Sequence, residues 1–207
     1  MYNKIEAIKK AFNDNLERFK MKYPNHEIVK LDIPPLIMAK AIAWAKQVAK
    51  AKQEEELYQD DSGKLIERFA VGILIEAVIE YNYNLKFVDW SIGHTRDFAY
   101  PDLQDAGYRL GIKGAKKYNM PLVPVYNEKL KEDLCSQLIC IYDPDVNQIW
   151  ILGIGTPDVL EKFSYTGFIK SSNVDIRIKT AFYGFPYLEP FTGIESLEPY
   201  RIVKENL

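Results

Sequence analysis

The chain predicts a mixed fold of helices and strands, α+β or mixed α/β, on three observations. Its first third carries apolar residues at helical spacing. After Asn84 the pattern changes to short strand-like runs divided by turn residues. A 47% hydrophobic content over 207 residues is enough to bury a sizeable core. One domain, 1–207, is expected, with a helical N-terminal extension over 1–60, a core over 64–163, and strands and loops over 164–207.

Ile5, Ile8, Phe12, Leu16 and Phe19 recur three or four residues apart, which lines one helix face, and Tyr23-Pro24-Asn25 stops that helix. A second helix is expected to begin at Pro34-Pro35, because a first turn has no use for the amide proton that proline lacks. It runs on through AIAWAKQVAKAKQEEEL, whose alanines permit close packing. The acidic stretch from Gln53 to Lys64 reads as a solvated connection. From Lys64, KLIERFAVGILIEAVIEYNYN is apolar on more than one side, which predicts a helix covered from two directions.

The segments LKFVDWS, DFAYPDL, YRLGIKG, PLVPVY, SQLICIYD and QIWILGI predict strands, parted by turn formers such as QDAG and DPDVNQ. TPDVLEKF predicts a short helix with Thr156 as its N-cap and Pro157 in its first position. SYTGFIKSSNVDIRIKTAFYGFPYLEP predicts one or two more strands with aromatic loops, and GIESLEPYRIVKENL carries no clear signal.

A formal net charge of -2 argues against the broad basic field of a protein that coats nucleic acid, although a local basic patch is compatible with it. Cys135 and Cys140, both in an apolar run, read as reduced thiols packed in a core. The N-terminus is amphipathic without the apolar centre of a signal peptide. No window approaches the roughly 20 apolar residues needed to cross a bilayer, so a cytoplasmic protein with no membrane partner is expected.

Alternate residues of a strand share a face, so Gly111 and Lys113 lie on one side while Leu110 and Ile112 lie on the other. With Asp102 ending the preceding strand and QDAG turning the chain, its carboxylate comes near Lys113. An acid there suits a hard divalent ion whose other positions are taken by water and phosphate oxygens. The lysine can then orient the attacking water and stabilise charge that develops on the phosphate. Glu76 lies among Ile73, Leu74, Ile75, Ala77, Val78 and Ile79, where a carboxylate is desolvated unless a metal, a cation or water reaches it. The plainer reading places it on a wet strip with Glu80, one turn on. Glu67, beside Arg68 in a first turn, reads as a surface acid.

This order of a helix acid in GILIEAVIEY, Pro-Asp in YPDLQ and a lysine in GIKG resembles the PD-(D/E)XK nuclease superfamily. LICIYDPDVNQIWILGIGTPDVL is similar to that family's next strand pair and short helix, so the likeness covers Lys64 to Phe163. The resemblance implies a restriction endonuclease-like fold, a mixed central sheet flanked by helices. It further implies a DNA endonuclease dependent on Mg2+ (or Mn2+) that hydrolyses phosphodiester bonds. Asp102 would bind the metal, Glu76 would assist the metal or the water, and Lys113 would be the catalytic lysine. The family includes restriction enzymes, repair and recombination nucleases and phage proteins. Its second strand acid falls on Gly111. Either another acid, such as Glu76 or Asp105, supplies that ligand, or the site is inactive and the chain is a module that binds a nucleic acid or protein partner.

Arg109, Lys116 and Lys117 are candidates to contact DNA phosphates, with a solvated hairpin end as the equal alternative. His94 and Arg96 lie in a loop before Asp102, where a histidine can serve as a base, but two histidines in the chain do not support a His-based metal cluster. Gln137 either points into the same cleft or sits on the solvent side of the sheet. The aromatics of FSYTGF and FYGFPYLEPF read as packing before base stacking, and GIGTPD lacks the Gly-Lys-Ser/Thr ending of a phosphate loop. A homodimer is left open.

Overall fold

The computed structural model describes residues 2–53, 65–92, 101–126, 135–169 and 177–203. Helix α1 (Tyr2–Lys22) leads to strand β1 (Val29–Asp32), then to helices α2 (Pro35–Gln53) and α3 (Leu65–Tyr83). Strands β2 (Leu110–Lys116), β3 (Leu122–Tyr126), β4 (Ser136–Asp143) and β5 (Gln148–Gly155) follow, then helix α4 (Pro157–Lys162) and strands β6 (Ser164–Ile169) and β7 (Arg177–Phe182). Short 3-10 helices at Phe185–Tyr187 and Ile194–Tyr200 close the chain.

Four strands form a mixed sheet in the order β1-β5-β4-β2, in which β2 runs parallel to β4 and the other neighbours are antiparallel. A second, antiparallel sheet has the order β3-β7-β6. The fold is therefore α+β, with a mixed four-stranded sheet flanked by helices. No helix among the described residues is long and apolar enough to cross a membrane.

Strand β4 shows why the larger sheet has a core on each face. Leu138 and Cys140 pack into one core, while Ile139 and Ile141 pack into the other. The first core lies against α3 and takes in Ala41 of α2. The second is filled by Phe12, Leu16 and Phe19 of α1, Leu160 of α4, Phe182 of β7 and Phe185. Leu74, Ile75, Val78 and Ile79 of α3 are at most 2% exposed. Each such side chain contributes about 1.5–3 kcal/mol of burial, so packing and not helix propensity fixes this helix. Gly114 of β2 lets it approach closely, since a β-carbon there would collide with Ile75 Cδ1. The two-sided burial expected for this helix is what the structure has.

Several elements differ from expectation for identifiable reasons. LKFVDWS forms no strand: the backbone amides of Phe87 and Val88 each donate to Glu80 Oε2 at 2.8 Å, so a helix carboxylate takes hydrogen bonds that a neighbouring strand would otherwise accept. Of DFAYPDL, residues 97–100 lie outside the described residues, and Asp102 stands in a turn rather than at a strand end. There Gln104 N bonds Pro101 O, Gly107 N bonds Gln104 O, and Gly107 adopts φ 88, a backbone state suited to glycine. Strand β1 pairs with β5, an element the short VKLD run did not announce. Thr156 does precede α4, with Pro157 first, but its side chain makes no capping hydrogen bond. The 54–64 connection and the loop holding His94 and Arg96 lie outside the described residues.

The C-terminal segment, which carried no clear signal, fastens the Asp102 turn. Arg109 N bonds Tyr200 O and Ile202 N bonds Gly107 O, each at 2.8 Å. Tyr108 and Arg201 form a β-bridge, and the Arg201 guanidinium sits 4.9 Å from the centre of the Tyr108 ring.

Candidate active site

Among the described residues strand β2 ends the four-stranded sheet, so its outward amides face no neighbouring strand there. One of them is taken by a side chain: Ile112 N donates to Asp102 Oδ2 at 2.5 Å. Lys113 Nζ donates to the same oxygen at 3.2 Å and to Ile112 O at 2.7 Å. The turn after Pro101 positions this carboxylate, with Leu103 N bonded to Leu110 O at 3.0 Å. Asp102 thus caps the sheet edge and pairs with Lys113 at one point. The two side chains are 28% and 31% exposed, which leaves the pair within reach of a solute.

Glu76 approaches from α3, on the face of β2 opposite to Lys113. It is half-buried. Desolvation, with the Asp102 charge next, pushes its pKa up to about 8, while Lys113 works in the opposite sense. Asp89 and Glu80 add smaller upward contributions. Burial alone would lower the Lys113 ammonium, but the charge and hydrogen bond of Asp102, with Glu76 and Cys135 adding, hold its pKa above lysine's ordinary value. Three side chains nominated from the sequence therefore share one electrostatic neighbourhood.

Gly111 is the position where the resemblance called for an acid. It lies opposite Gln137 in the parallel pairing of β2 with β4. A β-carbon on Gly111 would collide with Gln137 Oε1 and come within 2.6 Å of Nε2 and 2.7 Å of Cδ. The room a side chain at 111 would need is filled by the Gln137 amide. Gln137 is only 3% exposed, so it faces the interior and not solvent. Its Nε2 donates to the carbonyl oxygen and the Sγ of Cys135, both at 3.1 Å, and its Oε1 is buried with no hydrogen-bond partner among the described residues. Asp105 is exposed in the turn, so Glu76 is the additional acid whose charge couples to Asp102 and Lys113.

The basic candidates are distributed differently. Lys116 pairs with Glu67 at 2.7 Å on the surface, in keeping with Glu67 as a surface acid. Lys117 pairs at 2.6 Å with Asp143, which is 1% exposed, and lies 3.6 Å from Asp145. Arg109 is exposed, and with Cys135, Ser136, Tyr200 and Arg201 it lines a cleft of about 270 Å³ beside the Gln137 contact. A cleft of about 720 Å³ lies elsewhere, between the end of α1 and β1, lined by Lys20, Tyr23, His26 and Lys30 among others. Cys140 is buried and Cys135 half-buried, and both are free thiols.

Two participants were not read from the sequence as parts of the site. Glu80 anchors the backbone after α3, and Cys135 holds the Gln137 amide. Among the described residues no group of three or more His, Cys, Asp and Glu side chains gathers into a metal cage.

Fold and pair together define the class: a mixed α+β protein that carries a carboxylate–lysine pair on a sheet edge, with a half-buried helix carboxyl whose ionisation both charges affect. Compared with protein-family models, curated proteins and solved structures, the chain matches none.

Proposed function

We propose that the chain is a metal-dependent nuclease that hydrolyses phosphodiester bonds in DNA. One observation carries this reading: Asp102 Oδ2 lies 3.2 Å from Lys113 Nζ at the edge of β2, and both charges act on the Glu76 carboxyl of α3. Structural ion pairs also occur at sheet edges. This one, however, is partly open to solvent, and its charges act on a helix acid whose pKa burial raises, a combination that marks functional sites more often than surface decoration.

The donor set suits a hard divalent cation. Asp102 and Glu76 offer carboxylate oxygens, and Mg2+ commonly rests on one or two such groups, with water and substrate phosphate at its other positions. Asp102 keeps acceptor capacity beyond the oxygen engaged by Ile112 and Lys113. When bound, Mg2+ or Mn2+ would offset negative charge on the phosphate and make a water molecule more acidic. Lys113, held as an ammonium by Asp102, supplies a fixed positive charge toward a phosphate oxygen. With its pKa near 8, Glu76 can hold or accept a proton close to neutral pH.

A plasmid-nicking assay tests the proposal. Wild-type protein with Mg2+ or Mn2+ is expected to cut, and Asp102→Ala and Lys113→Ala are each expected to abolish cutting. Absence of cleavage across supercoiled, linear, branched and single-stranded DNA would overturn it. The reading that would then gain is a binding module without hydrolysis, favoured by Gly111 and by the pairing of Lys116 and Lys117 with acids of the same chain.

A further inference from the structure

We propose that the outward face of α2 docks a DNA strand, with Lys40, Lys46 and Lys50 meeting its phosphates and the Trp90 ring at one end of that face taking a base. The proposal rests on the nuclease reading for its partner and names the surface along which the substrate strand lies.

Helix α2 is basic in a chain that is not. Between Pro35 and Gln53 it carries Lys40, Lys46, Lys50 and Lys52 and no acid, against a formal net charge of -2 for the whole chain. At about 3.6 residues per turn, Lys40, Lys46 and Lys50 fall within an arc of about 120° together with Ala39, Ala43 and Gln47. All six are exposed, while Ala41, Ala45, Val48 and Ala49 turn inward and are buried. A solvated helix face usually mixes acids with its lysines about one turn apart, and this face has none. Lys116 and Lys117 pair with acids of the chain, but none of these three lysines is in an ion pair among the described residues. Their charge is open to phosphates.

At one end of this face Lys40 Nζ stands 3.7 Å from the centre of the partly exposed Trp90 ring. Trp44 braces that residue: its Nε1 donates to Trp90 O at 2.9 Å and to Ser91 O at 3.3 Å, and the two rings meet at 89° with centres 6.4 Å apart. A fixed aromatic ring beside an ammonium matches what a nucleotide offers, a flat base for the ring and a phosphate for the lysine. The segment that carries Trp90 also borders the candidate site. Glu80, one turn on from Glu76, holds the amides of Phe87 and Val88, and the Asp89 charge acts on Glu76 after those of Asp102 and Lys113. Asp89 itself accepts from Ser91 N and Ser91 Oγ. Helices α2 and α3 pack into the same core, so a strand held on α2 lies on the Glu76 side of the sheet. An anionic membrane would attract these lysines too. Lying in a membrane surface takes a broad apolar stripe, however, and in this helix of 19 residues only Leu36 and Ile42 are bulky, apolar and exposed, which favours the strand.

Fluorescence anisotropy with labelled single-stranded and duplex DNA tests this in EDTA, where cutting does not intervene, over a salt series and with circular dichroism confirming each fold. The full chain is used, so the acids that follow α2 from Glu54, which lie outside the described residues, contribute their charge to the result. Wild type is expected to bind, the single strand more tightly than the duplex. Lys40→Gln, Lys46→Gln and Lys50→Gln in one chain are expected to weaken binding about tenfold or more and to reduce the slope of log affinity against log salt by about 2. Trp90→Ala is expected to weaken single-strand binding about fivefold or more with the slope unchanged. A control chain with Lys10→Gln, Lys20→Gln and Lys30→Gln has the same net charge and should bind as wild type does. The assignment is overturned if the α2 variant keeps wild-type affinity and slope, or if the control loses as much. It is also overturned if wild type leaves DNA unbound, with vesicles of phosphatidylglycerol then showing whether the face serves a membrane instead. Unchanged binding by folded Trp90→Ala removes the ring from the assignment, and should that variant not fold, Trp90→Leu is read in its place. Nicking judges the nuclease reading separately. A protein that cuts while its α2 variant binds unimpaired keeps that reading and loses this interface; one that binds through α2 and never cuts keeps the interface and loses the nuclease.

Discussion

Replacing Glu76 by Gln should change how the stability of the protein depends on pH, and the direction follows from the surroundings of this residue. In the unfolded chain the carboxyl ionises near its ordinary value of 4.5, whereas in the folded protein it holds its proton until about pH 8. Between these values the folded state binds more protons than the unfolded one, so stability falls as pH rises through the interval and levels off above about 8. Each pH unit of that interval is worth about 1.4 kcal/mol, which sets a ceiling on the order of 5 kcal/mol. Water reaching a half-buried carboxyl lowers the expected figure to on the order of 2 kcal/mol. Glutamine has no charge to desolvate. Glu76→Gln should therefore match wild type near pH 5 and exceed it by about that amount at pH 8.5, a melting difference of roughly 4–8 °C for a chain of this size. The assay is urea or thermal unfolding in EDTA at both pH values. A control follows from the second cause of the shift: in an Asp102→Asn background the pH-dependent gap should narrow, because the Asp102 charge no longer opposes ionisation of Glu76. Parallel curves for wild type and Glu76→Gln would refute the reasoning, since they would mean that Glu76 is as well solvated in the fold as in the open chain.

The remaining predictions concern contacts on β2 and at its end. Gly111→Ala should destabilise the protein by about 1–3 kcal/mol through collision with the Gln137 amide, and Gln137→Ser in the same chain should recover most of the loss; a double-mutant cycle in urea measures the coupling. Lys117→Met should cost about 3–5 kcal/mol because it strands the buried Asp143 carboxylate, and adding Asp143→Asn should return much of it, as read by thermal unfolding.

The candidate site was legible in the sequence to the extent that it is built from residue types in order. Glu76 stood out as an acid among aliphatic residues, and Asp102 and Lys113 stood out through their spacing around a turn. The contact of Asp102 with Lys113 depends on β2 being an edge strand, which no local pattern encodes. Strands β4 and β5 were legible because their apolar runs are bounded by turn residues. LKFVDWS misled because its composition suits a strand while its amides are committed to a carboxylate seven residues back. The place of Gln137 needed the β2–β4 register, a long-range property. Its one local signal was a polar side chain near the start of the otherwise apolar SQLICIYD.

The fastening of the Asp102 turn by residues 200–202 bears on how the protein can be shortened. The segment that resembles a nuclease core ends near Phe163, yet Arg109 and Gly107 are held by Tyr200 and Ile202 from beyond it. A fragment trimmed to the recognisable motif would keep every nominated side chain and lose the brace that sets the aspartate against the lysine. The smallest unit that keeps the Asp102 turn braced therefore extends almost to the last described residue, and fusion partners or surface tethers belong at the other terminus.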